Sequence, residues 1–365
     1  MNEGMLSNLR LLADDVFRPN AEITDQGTIH DQLSVNIELL KNAGYFGLGI
    51  PAQYGGMEAD EATRQEYTEL MASACGVTAF TQQQLQSGGG FVSGSENTTL
   101  KESLLPRMAR GEILCGIAFA HLRRPGPPVV TAQTVPGGYL INGSAPWLSG
   151  WAVMDSFVLG VHVPENDRHL YLYVEADRSN PAISVSPTAK LVCMNASDTV
   201  SVTFNNLFVS EYYRLYDRPA ADMRRADLCG ITGHVYQPLG CTRGSIVYLR
   251  SLADRKNRPD LLMVAEQFEH EVEQCRREAR TWNGSCADLP EYKEHALHAR
   301  TSTILLAVRA AHATIAATGG SAHYMDQPPQ RLMREAIFYT TAAQTRDIQA
   351  GTLDLLVSPD CWNES

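Results

Sequence analysis

The sequence predicts an α+β protein with an N-terminal helical domain over residues 1–112, a middle β domain over 113–215 and a C-terminal helical bundle over 216–365. Two observations predict this division. Apolar residues recur at helical spacing up to about Glu112, alternate in short β-branched and aromatic runs up to about Tyr212, and return to helical spacing from about Leu228. The composition, 44% hydrophobic and 19% charged over 365 residues, is that of a globular chain long enough for two or three domains that share cores.

In the first portion Leu6, Leu9, Leu12 and Val16 line one helix face, and Leu33, Ile37 and Leu40 line a second that stops near Asn42 to Gly44. Asp60 to Ala74 and Leu100 to Ala109 read as further helices, the second ending at Gly111. Between them lie the Gly-rich stretches GLGIPAQYGG and SGGGFVSGS, and the Gly88 to Gly90 cluster reads as a turn. The middle portion carries VVTAQTV, YLING, DSFVLGVHV, HLYLYVEA, ISVSP and TVSVTF, separated by turn signals such as PGG and PEND. Alternation within HLYLYVEA and TVSVTF predicts sheet with one buried face and one wetter face. Beyond it, Asp260 to Trp282, Tyr292 to Thr318 and Pro329 to Leu356 read as long helices interrupted by NGSCADLP and TGGSAHYMDQPP.

Thirty basic against 41 acidic residues give a formal charge of -11, which would repel a phosphate backbone, so no nucleic-acid partner is expected. The eight cysteines (75, 115, 193, 229, 241, 275, 286 and 361) show no C-x-x-C and no regular spacing. That argues against a zinc site or a disulfide scaffold and for a reducing cytoplasm. The N-terminus has acids where a secretory signal needs a basic region, and no run of about 18 apolar residues occurs, so neither export nor a membrane span is expected.

Several short motifs fail on context. Gly47-Leu-Gly49-Ile-Pro-Ala52 has the letters of a dinucleotide fingerprint, but Pro51 and Tyr54-Gly55-Gly56 stop the helix that fingerprint needs. The Gly88 to Gly90 cluster lacks the Lys-Ser/Thr of a phosphate loop, and His295 and His298 stand among ordinary helix residues, so no metal is expected. Arg123 and Arg124 read as a solvated pair that, in a cleft, would receive a phosphate or carboxylate of a substrate.

Five stretches, read in order, resemble the acyl-CoA dehydrogenase superfamily: NAGYFGLGIPAQYGGM, LLPRMARGEILCGIAFA, YLINGSAPWLSGWAVMDSFVLGV, MNASDTVSVTFNNLFVSEYY and ATGGSAHYMDQPPQRLMREAIFYTTAAQTRDIQAGTLDLL. Together they span almost the whole chain. The resemblance implies the family's fold, with the middle domain a β-barrel or sandwich, an FAD cofactor, and a homodimer or homotetramer formed through the C-terminal helices. It places Trp147 near the flavin ring, the Ser149 hydroxyl near N5 and the backbone of Phe119 to His121 along the pyrimidine side, although the family's Thr-Glu-Pro is here Ala-His-Leu-Arg-Arg-Pro. Gly319 and Gly320 resemble the paired glycines that approach the adenine half of FAD, often across a subunit interface. Thr345, Asp347 and Gln349 match positions that meet the ribose or diphosphate, and Arg331 and Arg334 align with a basic pair just before them.

Two departures bear on the chemistry. Classical members remove the α proton of a thioester with a carboxylate, because an acidified C–H still needs a base within reach. At the commonest position this chain has Ala343, and at the alternative position it has Gly230 or a neighbour. His121 and Glu335 are the catalytic candidates, with Asp347 and Glu266 as further substitutes. The second departure is ADRKNRPDLLMVAEQF, which only faintly resembles the family's R-x-x-F-G and its following Gln. The resemblance therefore implies a flavin oxidoreductase acting on an acyl thioester held by CoA or a carrier protein. A flavin monooxygenase on the same fold, with His121 as a proton donor, and a flavin-free relative are the alternatives.

Overall fold

A computed structural model describes residues 2–357, so Cys361 lies outside the described residues. The N-terminal portion comprises α1 (Asn2–Leu12), continued by a π-turn at Ala13–Phe17, then α2 (Ala21–Gln26), α3 (Gln32–Asn42), α4 (Glu61–Ala74), α5 (Gly76–Ser93) and α6 (Thr98–Ala109). Of the helical stripes, Leu6, Leu9, Leu33, Ile37 and Leu40 enter one core as their spacing predicts, Leu12 and Val16 are only half-buried against it, and Phe17, outside the predicted stripe, is buried in their place. Helix starts are set by side-chain caps, Asp60 accepting from the Thr63 amide at 2.7 Å and Asn97 from the Leu100 amide at 3.0 Å.

Gly88 to Gly90, expected to turn, lie inside α5. The reason is close packing. A Cβ on Gly88 would stand 2.2 Å from Cys115 Sγ and 2.7 Å from the Cys115 carbonyl, so only glycine lets α5 approach the first strand.

The middle portion is one eight-stranded mixed sheet, in the order β6-β7-β3-β2-β4-β5-β8 with β1 also paired to β4. The strands are β1 (Cys115–Ala118), β2 (Val130–Val135), β3 (Gly138–Leu148), β4 (Ser156–Val163), β5 (Arg168–Glu175), β6 (Ile183–Val185), β7 (Val200–Ser210) and β8 (Arg214–Pro219). β4 runs parallel to β1 and β2; the other pairs are antiparallel. β7 alternates in burial as expected, but β5 is buried along almost its whole length. Leu170, Leu172 and Val174 face the main core, while Tyr171 and Tyr173 on the other face are covered by Phe91 of α5 and Leu104 and Met108 of α6. The face expected to be wet is roofed by helices.

The C-terminal portion holds α7 (Asp222–Cys229), α8 (Tyr236–Lys256), α9 (Asp260–Thr281), α10 (Tyr292–Thr318), α11 (Pro328–Thr341) and α12 (Arg346–Val357). Leu239, Ile246, Phe268, Val272, Leu306 and Ala310 form the bundle core. Leu85, Phe157, Leu332 and Tyr339, drawn from all three portions, share the main core. The run expected as one helix from Pro329 to Leu356 breaks at 342–345, where Ala343 takes φ 51°. Arg300 Nη2 donates to the Ala342 carbonyl at 2.9 Å, and the Thr345 hydroxyl accepts from the Ile348 amide at 3.4 Å to start α12. Among the described residues no helix is long and apolar enough to cross a membrane.

Candidate active site

Two cavities border α4. The larger, about 430 Å³, lies between α4, the Ile231–His234 turn that leads into α8, and the end of α9; the smaller, about 280 Å³, lies between α4, α5 and the 46–50 segment. Arg64, Thr68 and Gln83 line both, so the two form adjoining chambers. Their partition is polar: Gln237 donates to Gln83 at 2.8 Å, and the Tyr67 hydroxyl donates to Gln82 at 2.6 Å.

His234 lines the larger chamber, and among the described residues its ring nitrogens have no hydrogen-bond partner. Its ring is exposed to the chamber, where the surrounding low-dielectric walls, then the charges of Arg300 and Arg123, push its pKa down to about 4, so the ring is neutral at ordinary pH. Its carbonyl accepts from Arg300, whose guanidinium is only 1% exposed and also holds the Ala342 carbonyl. Arg300 forms no ion pair among the described residues, and its Nε has no partner. Burial lowers its pKa to about 10, which leaves it charged at neutral pH. A buried cation thus ties the turn bearing His234 to the break beside Ala343.

The residues assigned to the flavin ring lie at two strand ends, Phe119 and His121 just past β1 and Trp147 and Ser149 at the end of β3. Trp147 is 54% exposed, an uncovered indole on the last turn of β3. Ser149 is buried, with Oγ 2.6 Å from Thr199 Oγ1, which is in turn 2.9 Å from Ser197 Oγ. Three hydroxyl protons serve two hydrogen bonds, so one of the three hydroxyls keeps a free donor, and it is Ser149 when Thr199 donates to it. A free donor at Ser149 beside an open aromatic face suits a flat ring with an acceptor nitrogen, and the donor set fits a flavin. Phe119 packs tilted against Phe91 at 5.2 Å and edge-on to Tyr171 at 6.1 Å, and its ring carries the Arg123 guanidinium at 5.2 Å. His121 is buried with Nε2 2.8 Å from the Gly160 carbonyl; desolvation lowers its pKa, so it stays neutral and donates to that carbonyl.

Of the remaining expected site residues, Arg123 pairs with Asp227 at 2.6 Å and Arg124 is exposed. Gly319 ends α10 with φ 82°, and Gly320 beside it is exposed. Asp347 pairs with Lys293 at the other end of α10 at 2.9 Å, with Thr345 and Gln349 beside it. At about 1.5 Å per residue the two ends stand roughly 39 Å apart, so one protomer does not bring these two groups together. Glu335 is fully buried, accepts from Arg331 at 2.8 Å and from the Gly76 amide at 3.1 Å, and lines neither chamber. Burial raises its pKa. Glu266 lies exposed on α9, outside both chambers. Arg331 and Arg334 are buried too, held by Glu22 at 2.9 Å and Asp25 at 2.6 Å from α2.

Sequence reasoning missed His234, Gln83 and Arg300. Only Arg300 leaves a trace, as a lone cation in the small and apolar run ALHARTSTILLA.

Comparison with known proteins matches residues 2–112 to the family "Acyl-CoA dehydrogenase, N-terminal domain". An acyl-CoA dehydrogenase of Bacillus subtilis is 24% identical over 331 residues, 86% of each chain. The match to the very long-chain specific acyl-CoA dehydrogenase of Macaca fascicularis, at 25% identity, takes in 57% of this chain and about a third, 34%, of that protein's length. Butyryl-CoA dehydrogenase of Megasphaera elsdenii superposes with a TM-score of 0.80 at 17% identity over 98% of both chains. The dibenzothiophene monooxygenase TdsC of Paenibacillus sp. A11-2 does so at 0.77 and 19% over 97% of both.

Proposed function

Because the chain belongs to the acyl-CoA dehydrogenase superfamily, we propose that it is an FAD-dependent oxidoreductase that removes hydrogen from the α and β carbons of an acyl thioester carried by CoA or a carrier protein. One observation carries the reading. The larger chamber presents a neutral imidazole, His234, four residues after the position at which the family's alternative base is missing.

A pKa of about 4 gives His234 the basicity of an ordinary carboxylate, so it replaces one without loss of driving force. Its unpartnered ring nitrogen takes the α proton as the carbon–carbon double bond forms. A bound flavin supplies the acceptor for the hydride that leaves the β carbon. Trp147 would cover the ring face and Ser149 would donate to its edge. Gln83, Thr68 and Arg64 between the chambers suit a short or polar acyl group better than a long alkyl chain, which would leave their polar atoms without partners. Since Gly319, Gly320 and the Thr345–Gln349 group stand at opposite ends of α10, a second copy of the chain would supply one of them to each FAD.

Anaerobic mixing of the FAD-loaded protein with a panel of acyl thioesters tests this. The visible flavin absorbance should bleach and an enoyl thioester should appear. His234→Gln should slow the bleaching about 10²–10⁴-fold with FAD affinity unchanged. Bleaching at the wild-type rate in that variant would place the base elsewhere. A second reading, oxygen-atom transfer, is favoured by Ala343 and by the likeness to TdsC. It predicts no bleaching by any thioester and an oxygenated product when the reduced protein meets air and an aromatic substrate. Failure to take up any flavin would favour a non-redox relative.

A further inference from the structure

The turn Asn195–Ser197 is bounded by two non-glycine residues in the left-handed region, Met194 at φ 61° and Asp198 at φ 47°. Each such residue costs about 1–2 kcal/mol, so the surroundings must hold the turn in place. They do so from the far side of the main core. The Met194 amide donates to Asp25 Oδ1 at 3.3 Å, Asp25 Oδ2 accepts from Arg334 at 2.6 Å, and Cys193 Sγ donates to the Arg334 carbonyl at 3.3 Å.

The other side of the turn carries the flavin-facing segment. The Gly150 amide donates to the Ser197 carbonyl at 2.6 Å, and the Ala152 amide to Asp198 Oδ2 at 2.7 Å. Ser197 and Thr199 complete the hydroxyl chain that ends on Ser149. A Ser197 hydroxyl that donates to Thr199 lets Thr199 donate to Ser149, the arrangement that keeps the Ser149 proton free, so the placement of Ser197 bears on which hydroxyl keeps it.

We propose that the buried Asp25–Arg334 pair is a positioning device for the flavin, setting through the 193–199 backbone the hydroxyl that Ser149 offers the ring. The proposal rests on the flavin reading given above. An internal control exists in the same pair of helices: Glu22 of α2, less buried than Asp25, meets the buried Arg331 of α11 at 2.9 Å, and neither touches the 193–199 backbone by any hydrogen bond among the described residues.

The experiment compares the FAD-loaded full chain with Asp25→Asn, Glu22→Gln and Ser149→Ala, reading the flavin's visible spectrum, its midpoint potential, its dissociation constant and thermal unfolding. Asp25→Asn should shift spectrum and potential in the same direction as Ser149→Ala and weaken FAD binding about 3–10-fold, the worth of one displaced hydrogen bond. Glu22→Gln should lower thermal stability and leave spectrum and potential at wild type. A wild-type spectrum and potential in Asp25→Asn, with Ser149→Ala shifted, overturns the proposal; so do equal shifts in Asp25→Asn and Glu22→Gln. Should Asp25→Asn not fold, Asp25→Glu keeps a charge beside Arg334 and moves the acceptor of the Met194 amide: a spectrum shifted as in Ser149→Ala supports the proposal and an unchanged one overturns it. A wild-type chain that takes up no FAD sinks the flavin reading itself and this proposal with it.

Discussion

The C-terminal helices bury arginines in two ways. On α11, Arg331 and Arg334 meet Glu22, Glu335 and Asp25, so each guanidinium has a carboxylate at 2.6 to 2.9 Å. On α10, Arg300 is as deeply buried and meets only the carbonyls of His234 and Ala342. Burial is equal and compensation is opposite. The neighbouring carboxylates hold Arg331 well above the usual guanidinium range, whereas desolvation without an ion pair brings Arg300 down to about 10. The matched pairs latch α11 to the N-terminal helices. The unmatched cation lies behind the larger chamber, where its field reaches the one imidazole in the chamber wall.

Removing each cation should break the comparison in a measurable way. Arg334→Leu abandons Asp25 as a lone buried carboxylate, and chemical denaturation should show a loss of about 3–5 kcal/mol. Arg300→Leu abandons no charge. It strips donors from two carbonyls and should cost about 1–3 kcal/mol. If Arg300→Leu proves the more damaging of the two, then charge compensation is not what separates these sites.

Much of the fold was legible because packing repeats: the stripes at Leu6, Leu9, Leu33, Ile37 and Leu40 report burial directly. What misled was context that spacing does not carry. Gly88 reads as a turn until the approach of Cys115 is known, and Tyr171 and Tyr173 read as half wet until α5 and α6 lie over them. The site was less legible still. Trp147 and Ser149 come from one strand end and are assigned to the site by likeness alone, while His234, Gln83 and Arg300 are brought together from a turn, α5 and α10. No local pattern records that meeting, and the two buried ion pairs of α11 look in sequence like any basic pair on a helix surface.

The smallest effect is the most specific to the comparison. His234 titrates near 4 in the folded chain and near 6.5 when unfolded, so between those values the unfolded state binds a proton that the folded state refuses. Its contribution to stability is therefore complete above about pH 6.5 and is lost as the pH falls towards 4, and because the ring is exposed to the chamber, solvent screening keeps that contribution small. His121 and His169 are also pushed down by burial and add loss of the same sign, so the wild-type slope is a sum. Removing the Arg300 charge should raise the His234 pKa towards its ordinary value and narrow the window from its acid end. Stability measured against pH should thus fall less steeply between pH 6.5 and 4 in Arg300→Leu than in the wild type. His234→Gln should flatten the curve in the same way, and Arg300→Leu should add nothing further in that background. Arg123 also acts on His234, but it is paired with Asp227 at 2.6 Å, which offsets its charge and leaves Arg300 the stronger influence. Equal slopes in the wild type and Arg300→Leu would mean that the unmatched cation does not govern the imidazole, and that its role is confined to the two carbonyls it binds.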